Sequence, residues 1–234
     1  RGRPSRSPRA RERQGDQLVV GAAITHAMLR RSDAVRQSVP ALAEAAATVG
    51  GGQIQAMGSI AGSIANASPA GDLAPTLLAS DASVVVASTR GERVMPLENF
   101  LLGYRKIDLA ADELIVRFLV PVAPAGSRET FRKLGPRAAQ AISKVMGSYR
   151  GVVRDGKITA FAVSLGSVAP TAIRLHEVER KLIGRVIDEQ TLADAESITN
   201  SLIKPIDDIR STAEYRQWVA GRLVRGFLEH LSDR

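Results

Sequence analysis

The chain has 234 residues, of which 44% are hydrophobic, enough for one large core or two modest ones, and no stretch is apolar enough to predict a membrane span. It contains no cysteine, which excludes disulfides, thiolate metal sites, iron–sulfur ligation and cysteine nucleophiles within these residues. Redox chemistry here would therefore need an organic cofactor. With no apolar signal-peptide core in the sequence, we expect a cytoplasmic protein.

The net charge of +8 is concentrated at the start of the sequence. Residues 1–14 hold six arginines and one glutamate, which leaves a charge of only +3 for the other 220 residues. Because an Arg/Pro/Ser segment without apolar periodicity cannot bury a core face, we expect residues 1–15 to be a disordered basic tail. No nucleic-acid partner is predicted, and a nucleic-acid binder with a basic tail is a distant alternative.

Short apolar runs and their flanking residues predict the elements of the first half. They are strands over 17–21 and 113–120, a hairpin of 83–87 with 93–95, and helices over 25–31, 39–47 and 73–80. Thr25 caps the first helix, Pro40 lies in the first turn of the second, and the glycines 50–52 end it. The stretch 121–127, rich in Pro and Ala, predicts a domain boundary.

The second half predicts a small antiparallel sheet followed by helices. The strands are expected over 130–134, 144–154 and 158–165, with Asp155-Gly156 as a hairpin turn, and the helices around 175–183, 191–200 and 212–231. Ser211 to Glu214 form a capping box for the last helix. Its apolar face is predicted to contain Tyr215, Trp218, Val219, Leu223, Phe227 and Leu231. The fold class is therefore α+β, in two parts and without an internal repeat.

Residues 58–72, which we call the small-residue segment, are almost all small and end on the carboxylate Asp72. Small residues let backbone amides approach a ligand closely, so the segment is typical of a loop that holds a phosphate-bearing cofactor. The same composition also suits tight packing between helices. The segment lacks the Gly-x-Gly-x-x-Gly spacing of a Rossmann loop and the Gly-Lys-Ser/Thr end of a P-loop. Taken alone, it leaves packing and cofactor binding both open.

No catalytic residue and no metal site is predicted. His26, His176 and His230 are far apart and have no second ligand at metal spacing, so structural or surface roles are favoured. Asp207 and Asp208 precede the last helix, where the helix dipole favours carboxylates. Lys133 and Arg137, four residues apart, are candidates to hold an anion beside the small-residue segment.

Several stretches together resemble one family. They are residues 18–26, 53–75, 96–100, 103–106, 131–137, 141–143, 166–171, 205–211 and 213–216. In this order and spacing the chain, from about residue 16 to its end, resembles the FAD-binding medium subunits of molybdenum hydroxylases such as carbon monoxide dehydrogenase, xanthine dehydrogenase and aromatic-ring hydroxylase complexes.

The resemblance implies that residues 16–124 form the second lobe of a PCMH-type, two-lobed FAD-binding domain, and residues 128–234 a CO dehydrogenase flavoprotein-like C-terminal domain. It implies a flavoprotein subunit that carries electrons from iron–sulfur clusters of partner subunits through FAD to NAD, a quinone or oxygen. The implied partners are a molybdopterin-containing large subunit and a 2Fe-2S small subunit. The implied cofactor-binding residues are Ile54, Gly58, Ser59, Ile60, Ala61, Gly62, Ser63, Asn66, Asp72 and Lys133.

The sequence departs from the family pattern at two levels. Ser59-Ile60-Ala61-Gly62-Ser63 replaces the usual Thr-Ile-Gly-Gly with Asn or Asp, and Gln55-Ala56 replaces a common Arg-Asn pair. The family's first lobe, with its own Ala-Gly-Gly loop, is expected before Asp16, where this sequence has only the arginine-rich segment. We therefore expect either a piece of a longer flavoprotein or a truncated, non-catalytic scaffold that keeps subunit contacts without binding FAD.

Overall fold

The computed structural model of this protein describes residues 11–232, which form two parts, each built on an antiparallel sheet. The first part contains β1 (Arg11–Gln14), β2 (Gln17–Gly21), α1 (His26–Arg31), α2 (Asp33–Ser38), α3 (Pro40–Thr48), α4 (Gly52–Met57), α5 (Ile60–Ala65), α6 (Leu73–Ala79), β3 (Ser83–Ser88), β4 (Gly91–Pro96), α7 (Leu97–Phe100), β5 (Leu101–Gly103), β6 (Lys106–Ile107) and β7 (Leu114–Pro121). The second contains β8 (Arg128–Leu134), β9 (Val145–Arg154), β10 (Lys157–Gly166), β11 (Ile173–Arg174), α8 (His176–Leu182), α9 (Glu189–Leu202) and α10 (Ala213–Ser232). The predicted α+β class is confirmed. No helix in residues 11–232 is long and apolar enough to cross a membrane.

Strand β7 lies at the centre of the first sheet, although it is the last of that sheet's strands in the sequence. The strand order is β1-β2-β7-β3-β4, so β7 pairs with both β2 and β3. Side chains alternate along each strand, and one face of the sheet is therefore an apolar surface for the helices. The central strands contribute Leu18, Val20, Val84, Val86, Phe118 and Val120 to this core. The same core includes Ile60 and Leu73, which anchor the small-residue segment near both of its ends.

The second sheet, ordered β11-β10-β9-β8, packs α8, α9 and α10 against one face. Tyr149 on β9 stacks on Phe227 of α10, with 5.3 Å between the ring centroids. Gly151 leaves the space above β9 that the Leu231 side chain fills. The sheet also contacts the first part, because Phe131 and Met146 belong to the first core.

Polar contacts connect the two parts. The Phe131 amide donates to Glu44 Oε2 over 2.7 Å, and Arg174 Nη1 donates to the Leu78 carbonyl over 2.7 Å. Strand β7 ends at Pro121 and β8 begins at Arg128. The domain boundary within 121–127 stays a prediction. These hydrogen bonds join residues before it to residues after it and so hold the two parts together.

Residues 11–14 form strand β1, so the predicted disordered tail is wrong there. The strand pairs antiparallel with β2 across a turn in which Gly15 has a φ of +65°, a conformation that favours glycine. Backbone pairing thus orders a segment whose charged side chains bury no core face, and such charges suit an edge strand exposed to water. The rest of the predicted tail, residues 1–10, lies outside the described residues.

Helix α10 buries most of its predicted apolar face. Val219, Phe227 and Leu231 are buried and Leu223 packs against the second core, as predicted. Trp218 is 54% exposed and Tyr215 36% exposed, so the predicted face is wrong for these two. The other buried residues are Arg216, Ala220, Gly221, Val224 and Leu228. A Cβ at Gly221 would come within 3.0 Å of the Glu196 and Asn200 side chains, so this glycine allows a close approach of α9.

Candidate cofactor site

The small-residue segment is not the open loop that its composition predicts. Six of its residues form α5, and Ser59 caps this helix by accepting a hydrogen bond from the Gly62 amide over 3.1 Å. Serine is a strong N-cap residue, which explains why a run rich in glycine and serine becomes helical here. Gly58 and Gly62 lower the helix propensity of the segment, so the sequence pattern did not predict this short helix.

Four consecutive amides of the segment form hydrogen bonds within the protein. The Ile60 and Ala61 amides donate to the carbonyls of Ile24 and Ala22, while the Ser63 amide donates to the Ser59 carbonyl. The fourth, that of Gly62, is exposed and donates only to the Ser59 hydroxyl. The Ser59 hydroxyl can rotate away from this amide. Of the four amides, that of Gly62 can therefore most easily donate to a ligand oxygen instead.

Gly58 lies against the ring of His26. A Cβ at this position would lie 3.0 Å from His26 Cδ2 and from the Ile54 carbonyl oxygen, so a larger residue would require these neighbours to shift. The His26 amide also donates to the Gly58 carbonyl over 3.1 Å. His26 is buried, and burial lowers its pKa. The structural role expected for this histidine is therefore to support the start of the segment.

Asp72, at the other end of the segment, forms a buried ion pair with Lys133 of β8. Its Oδ2 lies 2.6 Å from Lys133 Nζ, which also donates to the Thr48 carbonyl over 3.2 Å. Burial raises the pKa of Asp72, and the charge and hydrogen bond of Lys133, with a smaller contribution from the Thr48 side chain, oppose that rise. The second oxygen, Oδ1, is buried and has no hydrogen-bond partner among residues 11–232. The two residues that the resemblance assigned to the cofactor separately are thus in direct contact.

A cavity of about 330 Å³ adjoins this ion pair. It is walled by Thr48, Lys133, Leu134, Gly135, Arg137, Ala138, Ala139, Gln140 and Ala141. Residues 135–143, which we call the cavity loop, form most of the wall, and the Gln140 side chain of this loop rests on Gly51. The cavity therefore lies where the second part of the molecule meets the end of α3 and the glycines before α4.

Arg137 and Lys133 make separate contacts in this structure, and a shared anion site stays a prediction. The Arg137 guanidinium donates to the carbonyls of Ala139 and Gln140, at distances from 2.6 to 3.2 Å, and so stabilises the cavity loop itself. A bend in that loop, where Gln140 has a φ of +51°, brings these carbonyls back toward Arg137. Spacing along the sequence does not reveal such a bend.

The other predicted site residues differ in how accessible they are. Ile54 is 56% exposed on α4, and Gly62 and Asn66 are exposed on or next to α5. Ile60 is fully buried in the first core, so it supports the segment rather than presenting a side chain to a ligand. Of the others, Gly58, Ser59, Ala61 and Ser63 are half-buried. Contact of each residue with FAD stays a prediction.

Comparison with known proteins gives this site a family. Residues 8–123 match the family model described as the FAD-binding domain in molybdopterin dehydrogenase, and residues 129–231 match the CO dehydrogenase flavoprotein C-terminal domain. The 6-hydroxypseudooxynicotine dehydrogenase complex subunit alpha of Paenarthrobacter nicotinovorans is 32% identical over 213 residues, which cover 91% of this chain and 72% of that one. The chain belongs to the FAD-binding medium subunits of the molybdenum hydroxylases. The predicted family and the predicted cofactor, FAD, are confirmed.

Other medium subunits extend the match to the whole fold. The carbon monoxide dehydrogenase medium chain of Hydrogenophaga pseudoflava is 28% identical over 216 residues, with 91% of this chain and 74% of that one covered. A solved structure of carbon monoxide dehydrogenase from the same organism, which lacks the Mo-pyranopterin moiety, superimposes with a TM-score of 0.90 at 28% identity and covers 94% of this chain and 76% of that chain. Both parts of the molecule therefore have the arrangement seen in this family.

Gln55 marks the place where this medium subunit departs from the Arg-Asn pair common in its family. The Gln55 side chain is buried, accepts a hydrogen bond from Arg30 Nη1 over 2.7 Å and donates to the Ala47 carbonyl over 3.0 Å. It thus connects α1 and α3 to α4. Arg30 of α1 thus brings a guanidinium to Gln55, a contact that spacing within α4 could not reveal.

Proposed function

We propose that this chain binds FAD between the small-residue segment and the cavity loop. It would then serve as the FAD-carrying electron-transfer subunit of a molybdenum hydroxylase, which we call the flavin station. The observation that carries the proposal is Asp72. Its Oδ2 is fixed by Lys133, whereas its Oδ1 is buried without a partner in the described part of the chain. A buried acceptor of this kind is costly unless a donor reaches it, and the ribityl and ribose hydroxyls of FAD are donors.

The surrounding residues suit such a cofactor. Gly62 and the hydroxyls of Ser59 and Ser63 offer small side chains and hydrogen-bond donors suited to a pyrophosphate. Ile54 is exposed beside the segment and would contribute an apolar wall. Lys133 keeps Asp72 oriented and adds a positive charge at the cavity.

When bound, FAD supplies the acceptance and release of electrons. The residues of this chain bind and orient it and exclude water from the ion pair. Because the sequence has no cysteine, iron–sulfur clusters would be held by partners, and we propose a molybdopterin-containing large subunit and a 2Fe-2S small subunit. NAD, a quinone or oxygen would be the final acceptor. A cytoplasmic location stays a prediction.

The test is the uptake of FAD by the purified chain. We expect visible flavin absorbance to remain with the wild-type chain after gel filtration. Asp72→Ala and Gly62→Val should each reduce the retained flavin by on the order of tenfold, because the first removes the buried acceptor and the second adds a branched side chain to the exposed wall. Asp33→Ala, which removes an exposed carboxylate from α2, is the matched control and should retain the wild-type amount of flavin.

A non-catalytic scaffold is a second candidate. It is favoured by the four consecutive amides, from Ile60 to Ser63, that form hydrogen bonds within the protein and need no ligand. A wild-type chain that gains no flavin on incubation with FAD would support the scaffold and contradict the flavin station. Unchanged flavin content in both variants would show that the site lies elsewhere.

A further inference from the structure

Arg216 of α10 is a buried arginine of the second part. Its side chain is 4% exposed, and its Nη2 lies 2.6 Å from Asp208 Oδ1. Its Nη1 donates to two carbonyls, that of Lys144 over 2.8 Å and that of Ser167 over 3.1 Å. Both terminal nitrogens are thus satisfied, while Nε is buried without a partner in the described residues. Because burying a guanidinium is costly, the bonds of the terminal nitrogens hold the two carbonyls in defined positions.

Ser167 connects Arg216 to the small-residue segment. Ser167 has a φ of +64°, which is uncommon for a residue other than glycine and requires support from its surroundings. In this conformation its amide donates to the Pro69 carbonyl, within the small-residue segment, over 2.8 Å. Gly166, next to it, leaves space for the same Pro69 carbonyl, which a Cβ would approach to 3.1 Å. Arg216 therefore supports the segment just before Asp72.

Lys144 connects Arg216 to the cavity loop. The Lys144 amide donates to the Leu134 carbonyl over 2.7 Å and closes the base of the loop. Ser143, the last residue of the loop, is buried, and its hydroxyl lies 2.9 Å from the Ser167 hydroxyl. One guanidinium thus joins the two walls between which the proposed FAD site lies.

We propose that Arg216, held by Asp208, is a positioning residue for the FAD site that sets the distance between the small-residue segment and the cavity loop. The assignment to FAD rests on the proposed function. Arg216 is too deeply buried to touch the cofactor, and it acts through Ser167 and Lys144. Its replacement therefore loosens both walls together.

Hydrogen exchange and FAD titration of Arg216→Lys test this inference. Lysine keeps the charge but lacks the planar fork that reaches Asp208 and two carbonyls at once. We expect exchange at the amides of Gly71, Lys144 and Ser167 to become on the order of tenfold faster, and the Kd for FAD to rise about tenfold. The visible circular dichroism of the bound flavin should also change, which loss of global stability alone would not cause.

Arg174→Lys is the matched control. Arg174 is also a buried arginine of the second part, it pairs with Glu179 and it donates to a first-part carbonyl, that of Leu78. Its described contacts do not include the cavity loop or the small-residue segment. We expect a comparable loss of thermal stability, with exchange at the two walls and the FAD Kd within about twofold of wild type.

The outcomes separate this inference from the proposed function. If Arg216→Lys matches Arg174→Lys in exchange and FAD affinity, the positioning role is overturned. If the wild-type chain takes up no FAD while Arg216→Lys still accelerates exchange in both walls, Arg216 connects the two walls but the proposed FAD-binding function is contradicted. Should Arg216→Lys not fold, Ser143→Ala removes only the hydroxyl contact to Ser167; it is expected to accelerate exchange in both walls several-fold, and unchanged exchange would overturn the inference.

Discussion

Asp72 and Asp208 each form an ion pair of 2.6 Å, but their carboxylates differ in how many hydrogen bonds they accept. Asp208 Oδ1 accepts hydrogen bonds from Arg216 and from the amides of Arg210 and Ser211. Asp72 binds Lys133 through Oδ2 and leaves Oδ1 buried and unpaired within residues 11–232. The Asp208 side chain is 26% exposed and fully engaged, whereas the unpaired Asp72 oxygen is buried next to Lys133, which lines the cavity, and we take that oxygen as the place for a ligand.

The pKa values follow the same contrast. Burial alone would raise the pKa of Asp208, but the amides of Arg210 and Ser211 and the Arg216 guanidinium hold it below its ordinary value. For Asp72 burial prevails, and its pKa is raised despite Lys133. The environment of Asp208 therefore favours the ionised form in the folded state, and that of Asp72 disfavours it.

Asp208→Ala should give the largest loss of stability. It leaves the buried Arg216 guanidinium and the amides of Arg210 and Ser211 without their shared acceptor, and the loss of such an acceptor costs about 3 kcal/mol. Urea unfolding followed by circular dichroism measures this loss. Asp72→Asn should cost about 2 kcal/mol, because it leaves the Lys133 ammonium buried without a carboxylate, although the amide oxygen of asparagine can still accept its hydrogen bond. Equal costs for the two variants would contradict the contrast between the aspartates.

The acid limb of the stability curve should also separate the two residues. A lowered folded pKa at Asp208 contributes stability above the unfolded value, near 3.8, and this contribution is lost as the pH falls through the folded pKa. A raised folded pKa at Asp72 works in the opposite direction and gives stability that is present below 3.8 and lost as the pH rises through the folded pKa. Melting temperatures recorded from neutral to acidic pH should thus fall less steeply toward acid in Asp208→Asn than in wild type, and more steeply in Asp72→Asn. Parallel acid limbs in all three proteins would contradict the assigned shifts.

Tyr149→Phe should have the smallest effect, and of opposite sign. The Tyr149 hydroxyl is buried in the second core without a hydrogen-bond partner in the described chain, and burial raises its pKa. Unlike the Asp72–Lys133 pair, whose lysine lines the cavity, Tyr149 is not part of the cavity wall. Removing it should stabilise the protein by about 1 kcal/mol, measured by urea unfolding, while FAD binding stays unchanged. A destabilised variant would show that the hydroxyl has a partner.

The sequence predicted the secondary structure well where local patterns decide it. The hairpin at Asp155-Gly156, the helix capped by Thr25 and most strands of both sheets follow from turn residues, caps and apolar alternation. The pattern failed for α5, where one serine cap outweighs two glycines. For α10 it was wrong at Tyr215 and Trp218, which are exposed although they lie at apolar spacing.

Long-range contacts explain what could not be predicted at the site. Asp72 and Lys133 were each assigned from the family resemblance, but 61 positions separate them, and only the packing of β8 beside the end of the small-residue segment shows that they pair. Arg216 was one residue of a family motif with no assigned role. Its contacts with Lys144 and Ser167 span 72 and 49 positions, and no local pattern carries that information.

Equilibrium titration with FAD of the wild-type chain, Asp72→Asn and Asp208→Asn tests most directly that the free oxygen of Asp72 marks the FAD site. We expect Asp72→Asn to bind FAD at least about tenfold more weakly than wild type and to lose only about 2 kcal/mol of unfolding free energy. For Asp208→Asn, the ratio of lost unfolding free energy to lost FAD-binding free energy should be larger than for Asp72→Asn. Wild-type affinity in Asp72→Asn would contradict the account.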